Sequence, residues 1–412
     1  MRPPRSCRMS APRPEAPAPL SRRGPRPLLL HLSLAWLRSS SSTAASLNWS
    51  NAWPISWLGS QPPDNQAPDP ERVRTALEET LRADRALIAG IAAYRADPYV
   101  RAMRDPPVLW EEQESRLLDY GGPAAGDSPA VLFIPSLINR AYILDLMEGG
   151  SMLRWLSAEG LHPYLLDWGW PGEVERHFTL TDYIAGRLER ALAAIPGPVI
   201  LAGYCMGGLL ALAAALRAQD SGKLRGLALL ATPWDFHADG ADSARRVAET
   251  LPALEPVLQF TGTLPIDTLN TLFAMVDPFG VGDKYRDFAA QDKFLLRARR
   301  FVAMEDWLAD GVPLAAPVAR EALTGWYGTN STVRGQWRVA GLAVDPAALK
   351  LPSFCAIPAR DRLVPAASAR VLAEKLPDSR MIEPSTGHIG MVAGTNAQTA
   401  LWRPFASWVH SL

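Results

Sequence analysis

Six short apolar runs alternating with helical stretches, a glycine-framed turn at residues 203–208 and a long late insertion together predict an α/β protein. Its sheet is expected to be mainly parallel, with helices on both faces and a cap inserted between two strands. The runs are Val131 to Ile134, Tyr164 to Leu166, Val199 to Ala202, Leu227 to Leu230, Ser353 to Ile357 and Met381 to Ile382. The segment between the fourth and fifth, about 236–346, is rich in Trp, Pro and helical patterns and reads as the cap. No internal repeat of fixed period is apparent.

Taken in order, the residues ahead of Asp64 carry eight arginines and one acid, Glu15, many prolines and a serine run at Ser39 to Ser42. They predict a poorly ordered or interfacial extension. Within it the apolar stretch Leu28 to Leu37 is broken by His31 and Ser33 and falls far short of the ~20 residues that span a bilayer. Arginines ahead of an apolar run, followed by Thr43-Ala44-Ala45, also fit a targeting segment. Trp36, Trp49, Trp53 and Trp57 suit either a segment lying on a hydrophobic surface or an arm packed on the domain. Residues 66–412 form the catalytic domain. Asp69-Pro70-Glu71 is a helix start, with Asp as N-cap and Pro at the first helical position. Val73, Leu77, Leu81, Ile88 and Ile91 follow at helical spacing.

Composition narrows the function. The chain has 412 residues, 48% of them apolar, enough for a large core. Lys+Arg and Asp+Glu number 42 each, so no electrostatic footprint for nucleic acid exists. Three scattered cysteines, Cys7, Cys205 and Cys355, make neither a disulfide framework nor a zinc cluster and fit a reducing compartment. No metal or cofactor is expected.

The box Gly203-Tyr204-Cys205-Met206-Gly207-Gly208 joins an apolar run to an Ala/Leu-rich helical stretch, the pattern of a nucleophile elbow. Its exposed residue is a cysteine, which needs a base, and the base needs an orienting acid. In the α/β-hydrolase arrangement the order is nucleophile, acid, histidine, and Asp361 and His388 occupy the expected places after the two last runs. Glycines at 387 and 390 suggest close backbone approach around His388. An oxyanion hole is expected from the backbone N–H of Met206 and that of Leu137 or Ile138 in the loop Pro135 to Asn139. Asp167 and Trp168 end a strand where site residues gather, but a capping Asp and a core Trp account for them as well. Cys355, inside a strand, reads as a small hydrophobe.

With these residues identified, the chain resembles the polyhydroxyalkanoate synthases, which polymerise (R)-3-hydroxyacyl-CoA. The resemblance rests on the stretch from Ile134 to Leu146, on Leu165-Leu166-Asp167-Trp168-Gly169-Trp170-Pro171, on the Gly203 to Gly208 box and on Gly387-His388-Ile389-Gly390. It implies the α/β-hydrolase fold, catalytic Cys205, Asp361 and His388, and a Cys-bound acyl thioester, with coenzyme A part of substrate and product and no other cofactor. As partners it implies (R)-3-hydroxyacyl-CoA, the surface of a polyester granule, a homodimer, and a non-catalytic second subunit in keeping with the short region before the core. The implied location is cytoplasmic, with granule association. Where the family has His after its acid, this chain has Arg362. The alternatives are a cysteine-dependent hydrolase on the same scaffold, either a polyester depolymerase or an acyl-CoA thioesterase, and a non-catalytic granule protein.

Overall fold

The computed structural model describes residues 22–46, 69–122, 128–292 and 294–412. Eight strands form one sheet: β1 (Val108–Glu112), β2 (Ser115–Asp119), β3 (Ala130–Ile134), β4 (His162–Asp167), β5 (Val199–Tyr204), β6 (Leu224–Leu230), β7 (Ser353–Ala356) and β8 (Ser379–Ile382). Their spatial order is β1-β2-β4-β3-β5-β6-β7-β8. The two pairings at the β1 edge are antiparallel and the other five are parallel. All six apolar runs of the sequence fall on strands. The β1–β2 hairpin does not correspond to any of them. Its strands are short and half charged, and its turn holds Gln113 at φ 53° instead of a glycine.

Alternation along the strands feeds two cores, one on each face. Leu132, Ile134 and Leu201 face one, under the helix Met206–Ala218. Val131, Phe133, Ile200 and Ala202 face the other, under Met152–Ala158 and the C-terminal Arg403–His410. Because β3, β5, β7 and β8 run parallel, their carboxyl ends open on one edge of the sheet, where such folds place their sites. Between β6 and β7 the chain leaves the sheet and builds a largely helical layer.

The insertion includes the helices α3 (Ile266–Ala274), α4 (Gly280–Ala289) and α5 (Leu296–Ala309), and at the amino-terminal side α1 (Leu28–Ser46) and α2 (Pro70–Ala96) pack on α4 and α5 around a third, smaller core of Ala35, Leu87, Ile91, Tyr94, Tyr285, Phe288 and Phe301. The expected poorly ordered or interfacial extension therefore does not hold for residues 22–46, which form an arm packed on the domain. Trp49, Trp53 and Trp57 lie outside the described residues. The start of α2 follows its signals, with Asp69 Oδ1 accepting from Glu71 N at 3.1 Å and Pro70 opening the helix.

Its buried face differs from the expected one. Leu77, Leu81 and Ile88 are exposed, and the helix buries Ala76, Leu87, Gly90, Ile91 and Tyr94. The reason is a close crossing: a Cβ on Gly90 would stand 1.9 Å from the Tyr285 carbonyl oxygen, so the face with the glycine is the one that can approach α4. Gly90→Val should accordingly destabilise the protein by about 1–3 kcal/mol through overpacking. Leu81→Ala should stay within about 0.5 kcal/mol. Urea unfolding of both variants checks the assignment.

Candidate active site

The turn after β5 presents Cys205. Cys205 has φ 57° and ψ −130°, a left-handed backbone that L-residues rarely adopt, and the helix begins at the next residue. Two contacts leave room for nothing else. A Cβ on Gly207 would lie 2.1 Å from the Ile134 carbonyl oxygen, and one on Gly208 would lie 1.9 Å from Thr232 Oγ1. The helix N-terminus is thereby pressed against the ends of β3 and β6. The Cys205 N–H donates to the Leu230 carbonyl at 2.8 Å, which fixes the turn from the neighbouring strand.

Asp361 follows β7 and His388 follows β8, and the structure brings both to Cys205. His388 Nδ1 donates to Asp361 Oδ2 at 2.6 Å. The other carboxylate oxygen accepts from the N–H groups of Leu363 and Val364, each at 2.9 Å. Three donors thus converge on one buried carboxylate and hold it in a single orientation. With Nδ1 engaged, Nε2 is the nitrogen left for the hydrogen bond that His388 makes to Cys205.

Burial disfavours the charged imidazole. The Cys205 thiolate, the Asp361 hydrogen bond and the Asp361 charge outweigh it and push His388 up to about 10. The contrast within the chain is Cys355, 3% exposed inside β7, whose thiol burial pushes up to about 11 despite a 3.4 Å contact from Ser379 Oγ. Cys7 lies outside the described residues.

The loop after β3 stands opposite the elbow. Ile138 N–H turns back to Ser136 Oγ at 3.3 Å, and the Ile138 carbonyl accepts from Val312 N at 2.7 Å. Trp168, half of the Asp-Trp pair, donates its indole N–H to the Pro135 carbonyl at 3.1 Å and packs edge-on against Tyr183. Asp167 pairs with Arg116 and Arg140 and accepts from Gly169 N. Both residues brace the loops from outside the cavity. The glycines beside His388 are not needed for close approach: a Cβ on Gly390 would meet nothing within 4 Å, and one on Gly387 would meet the Arg360 carbonyl at an ordinary 3.5 Å.

Three aromatic side chains at the site carried no signal in the sequence. Tyr204, beside Cys205 in the elbow, donates its hydroxyl to the His388 carbonyl at 3.3 Å, and its ring lies tilted against the imidazole, 5.1 Å between centroids. Burial, with the charges of Cys205 and Asp361, pushes its phenol well above the ordinary value. Tyr327, from the inserted layer, is pushed up to about 12 by burial and by Cys205. Phe236 stacks on Trp326, 5.5 Å between centroids. Tyr204 is hidden by strand alternation, and the other two reach the site from far along the chain. Together they line a cavity of about 480 Å³ that opens above Cys205 and His388 and is otherwise mostly apolar.

A parallel sheet with a strained strand–turn–helix at its carboxyl edge, an Asp–His pair on the last two strand ends and a helical insertion defines the α/β hydrolase class. The alpha/beta hydrolase family model matches residues 131–400. Within that class the chain belongs to the poly(3-hydroxyalkanoate) polymerases. It is 30% identical over 313 residues to the poly(3-hydroxyalkanoate) polymerase subunit PhaC of Synechocystis sp., covering 72% of this chain and 82% of that one. Proteins of the same name from Haloarcula marismortui and Haloferax mediterranei are each 29% identical, over 73% of this chain. The match spans 66% and 63% of those two relatives' own lengths, less than two thirds of each. Among the described residues no helix is long and apolar enough to cross a membrane.

The electrostatics carry a pH signature. Raised above its unfolded value near 6.5, the His388 pKa stabilises the fold fully below that pH, and the contribution is lost as pH climbs through about 10. Across neutral pH His388 therefore keeps its positive charge beside Cys205. His388→Gln removes that charge and should therefore slow iodoacetamide alkylation of Cys205 at pH 7 by about tenfold or more. Rates followed by peptide mass spectrometry would show it, with Cys355 as the internal unreactive thiol.

Proposed function

We propose that the chain is a polyhydroxyalkanoate synthase that polymerises (R)-3-hydroxyacyl groups from coenzyme A thioesters through Cys205. The observation that carries this reading is the cysteine, not a serine, on the strained turn, hydrogen-bonded to a histidine that an aspartate holds. The names of the relatives, polymerases of poly(3-hydroxyalkanoate), support it over the hydrolase alternatives.

In the first half-reaction the Cys205 thiolate adds to the acyl-CoA carbonyl carbon. The oxyanion is received by the N–H of Met206, at the start of the helix, and by that of Leu137, since the Ile138 N–H is engaged by Ser136. Collapse breaks the carbon–sulfur bond to coenzyme A, whose thiolate takes the proton from the His388 imidazolium. A thioester has replaced a thioester, at little cost in free energy. In the second half-reaction the 3-hydroxyl of another acyl unit gives its proton to His388 and attacks the Cys205 thioester, forming an oxoester and freeing the thiolate. Asp361 fixes the ring orientation and stabilises the imidazolium in both halves. Tyr204 holds the backbone of His388 from below.

The word subunit in the relatives' names supports a second, non-catalytic synthase subunit as partner. The polyester product itself supplies a granule surface for the protein to work on.

Cys205→Ala should lower CoA release from (R)-3-hydroxybutyryl-CoA by about a thousandfold or more, with the fold intact. Insoluble polymer should be the wild-type product. CoA release that persists in the variant removes Cys205 from the mechanism, and free 3-hydroxybutyrate as the main wild-type product favours a hydrolase.

A further inference from the structure

The arm formed by residues 22–31 does more than pack on the domain. Gly24, Pro25, Arg26 and His31 line the same cavity as Cys205 and His388, on the side where the inserted helices meet. They come from the first part of the described chain, remote in sequence from every residue assigned to the chemistry.

The arm is fastened at several points, mostly to the inserted layer. Arg26 makes a two-pronged ion pair with Asp267 on α3, at 2.9 and 3.1 Å, and donates to the Ala309 carbonyl at the end of α5 at 3.1 Å. Arg22 pairs with Asp306 on α5 at 2.9 Å and also binds the carbonyls of Asp97 and Tyr99, just beyond α2. Asp306 in turn accepts from Tyr94 of α2 at 2.8 Å, so one carboxylate joins arm, first long helix and insertion. Behind the wall, His31 is 6% exposed and bonds through Nε2 to the Arg26 carbonyl at 3.2 Å. A segment that is otherwise a connection is thus clamped across α3 and α5 with Pro25 and His31 lining the cavity.

This placement matters for the outcome of the proposed reaction. Once the acyl group sits on Cys205, the same thioester can be attacked by the 3-hydroxyl of another unit or by water. Water attack breaks the carbon–sulfur bond, forms a carbon–oxygen bond and releases free 3-hydroxy acid, with the water proton passing through His388. Chemistry at the elbow does not discriminate between the two oxygens, so access must. We infer that the arm, held by Arg22 and Arg26, is the outer wall that keeps water from the acyl–Cys205 thioester and thereby sets the ratio of polymer to free acid. The inference rests on the synthase reading above.

Asp267→Asn breaks the ion pair from the far side without touching the cavity lining, and the double variant Arg22→Ala/Arg26→Ala releases the arm at both anchors. Each is made in the full chain and supplied with (R)-3-hydroxybutyryl-CoA. Free 3-hydroxybutyrate per CoA released should rise by about threefold or more, the scale on which losing a partly exposed ion pair shifts a local opening. Being a ratio, it is independent of turnover. A second readout needs no turnover: iodoacetamide should alkylate Cys205 faster in the variants by a similar factor, with Cys355 unchanged. If the double variant fails to fold, Asp267→Asn decides alone. An unchanged ratio and an unchanged alkylation rate in a folded variant overturn the inference. A wild-type protein that releases no CoA defeats the synthase reading instead, and the alkylation rates still decide whether the arm is a wall.

Discussion

The left-handed backbone at Cys205 is the constraint from which the rest of the site follows. A residue with a side chain is held at φ 57° because the strand before it, the helix after it and the neighbouring strand ends are packed too closely to let the turn relax. Gly207 and Gly208 are the positions where that closeness becomes visible, against the Ile134 carbonyl and Thr232. The strain points the sulfur out of the sheet edge and leaves the first N–H groups of the helix facing the same space. Geometry of this kind is maintained by the whole sheet, since the Leu230 carbonyl that receives the Cys205 N–H belongs to β6.

From that point outward, orientation passes through hydrogen bonds. The His388 ring is set by Asp361 on one nitrogen, by Tyr204 beneath and by the sulfur on the other nitrogen. Asp361 is set in turn by two backbone N–H groups of its own loop. Arg362, where the resembled family has His, does not enter this chain. It turns away and pairs with Asp277 of the insertion at 2.8 Å, tying the acid's loop to the layer above it. The substitution therefore changes how the cap is fastened and leaves the carboxylate's own partners in place.

Much of this was legible in the residues. Alternating apolar runs gave the parallel strands because β-branched and leucine-rich segments bounded by turn residues have few other homes in a chain of this composition. The elbow was legible because its glycines answer to a steric requirement that does not depend on distant sequence. Where reading failed, the cause was a contact between remote segments. The leucine stripe of α2 was a reasonable buried face in isolation, and Gly90 against the Tyr285 carbonyl overruled it. The β1–β2 hairpin was missed because β1 is largely exposed, the apolar run of β2 is only Leu117-Leu118, and the turn uses Gln113 at positive φ in place of a glycine. Gly387 and Gly390 misled in the opposite direction, suggesting a tight approach that the structure does not make.

The sequence by itself determined the fold class and the order of Cys205, Asp361 and His388 along it, because both depend on local pattern and chain order. Only the tertiary structure decided that Gly24, Pro25, Arg26 and His31 line the cavity at Cys205, that Tyr327 lines it too, and that Trp168 braces the loop at Pro135. Those facts are contacts between segments far apart along the chain, and periodicity carries no record of which distant surfaces meet. The arm shows the division most clearly: its arginines read as part of a poorly ordered or interfacial extension until the carboxylates of Asp267 and Asp306 are found within reach.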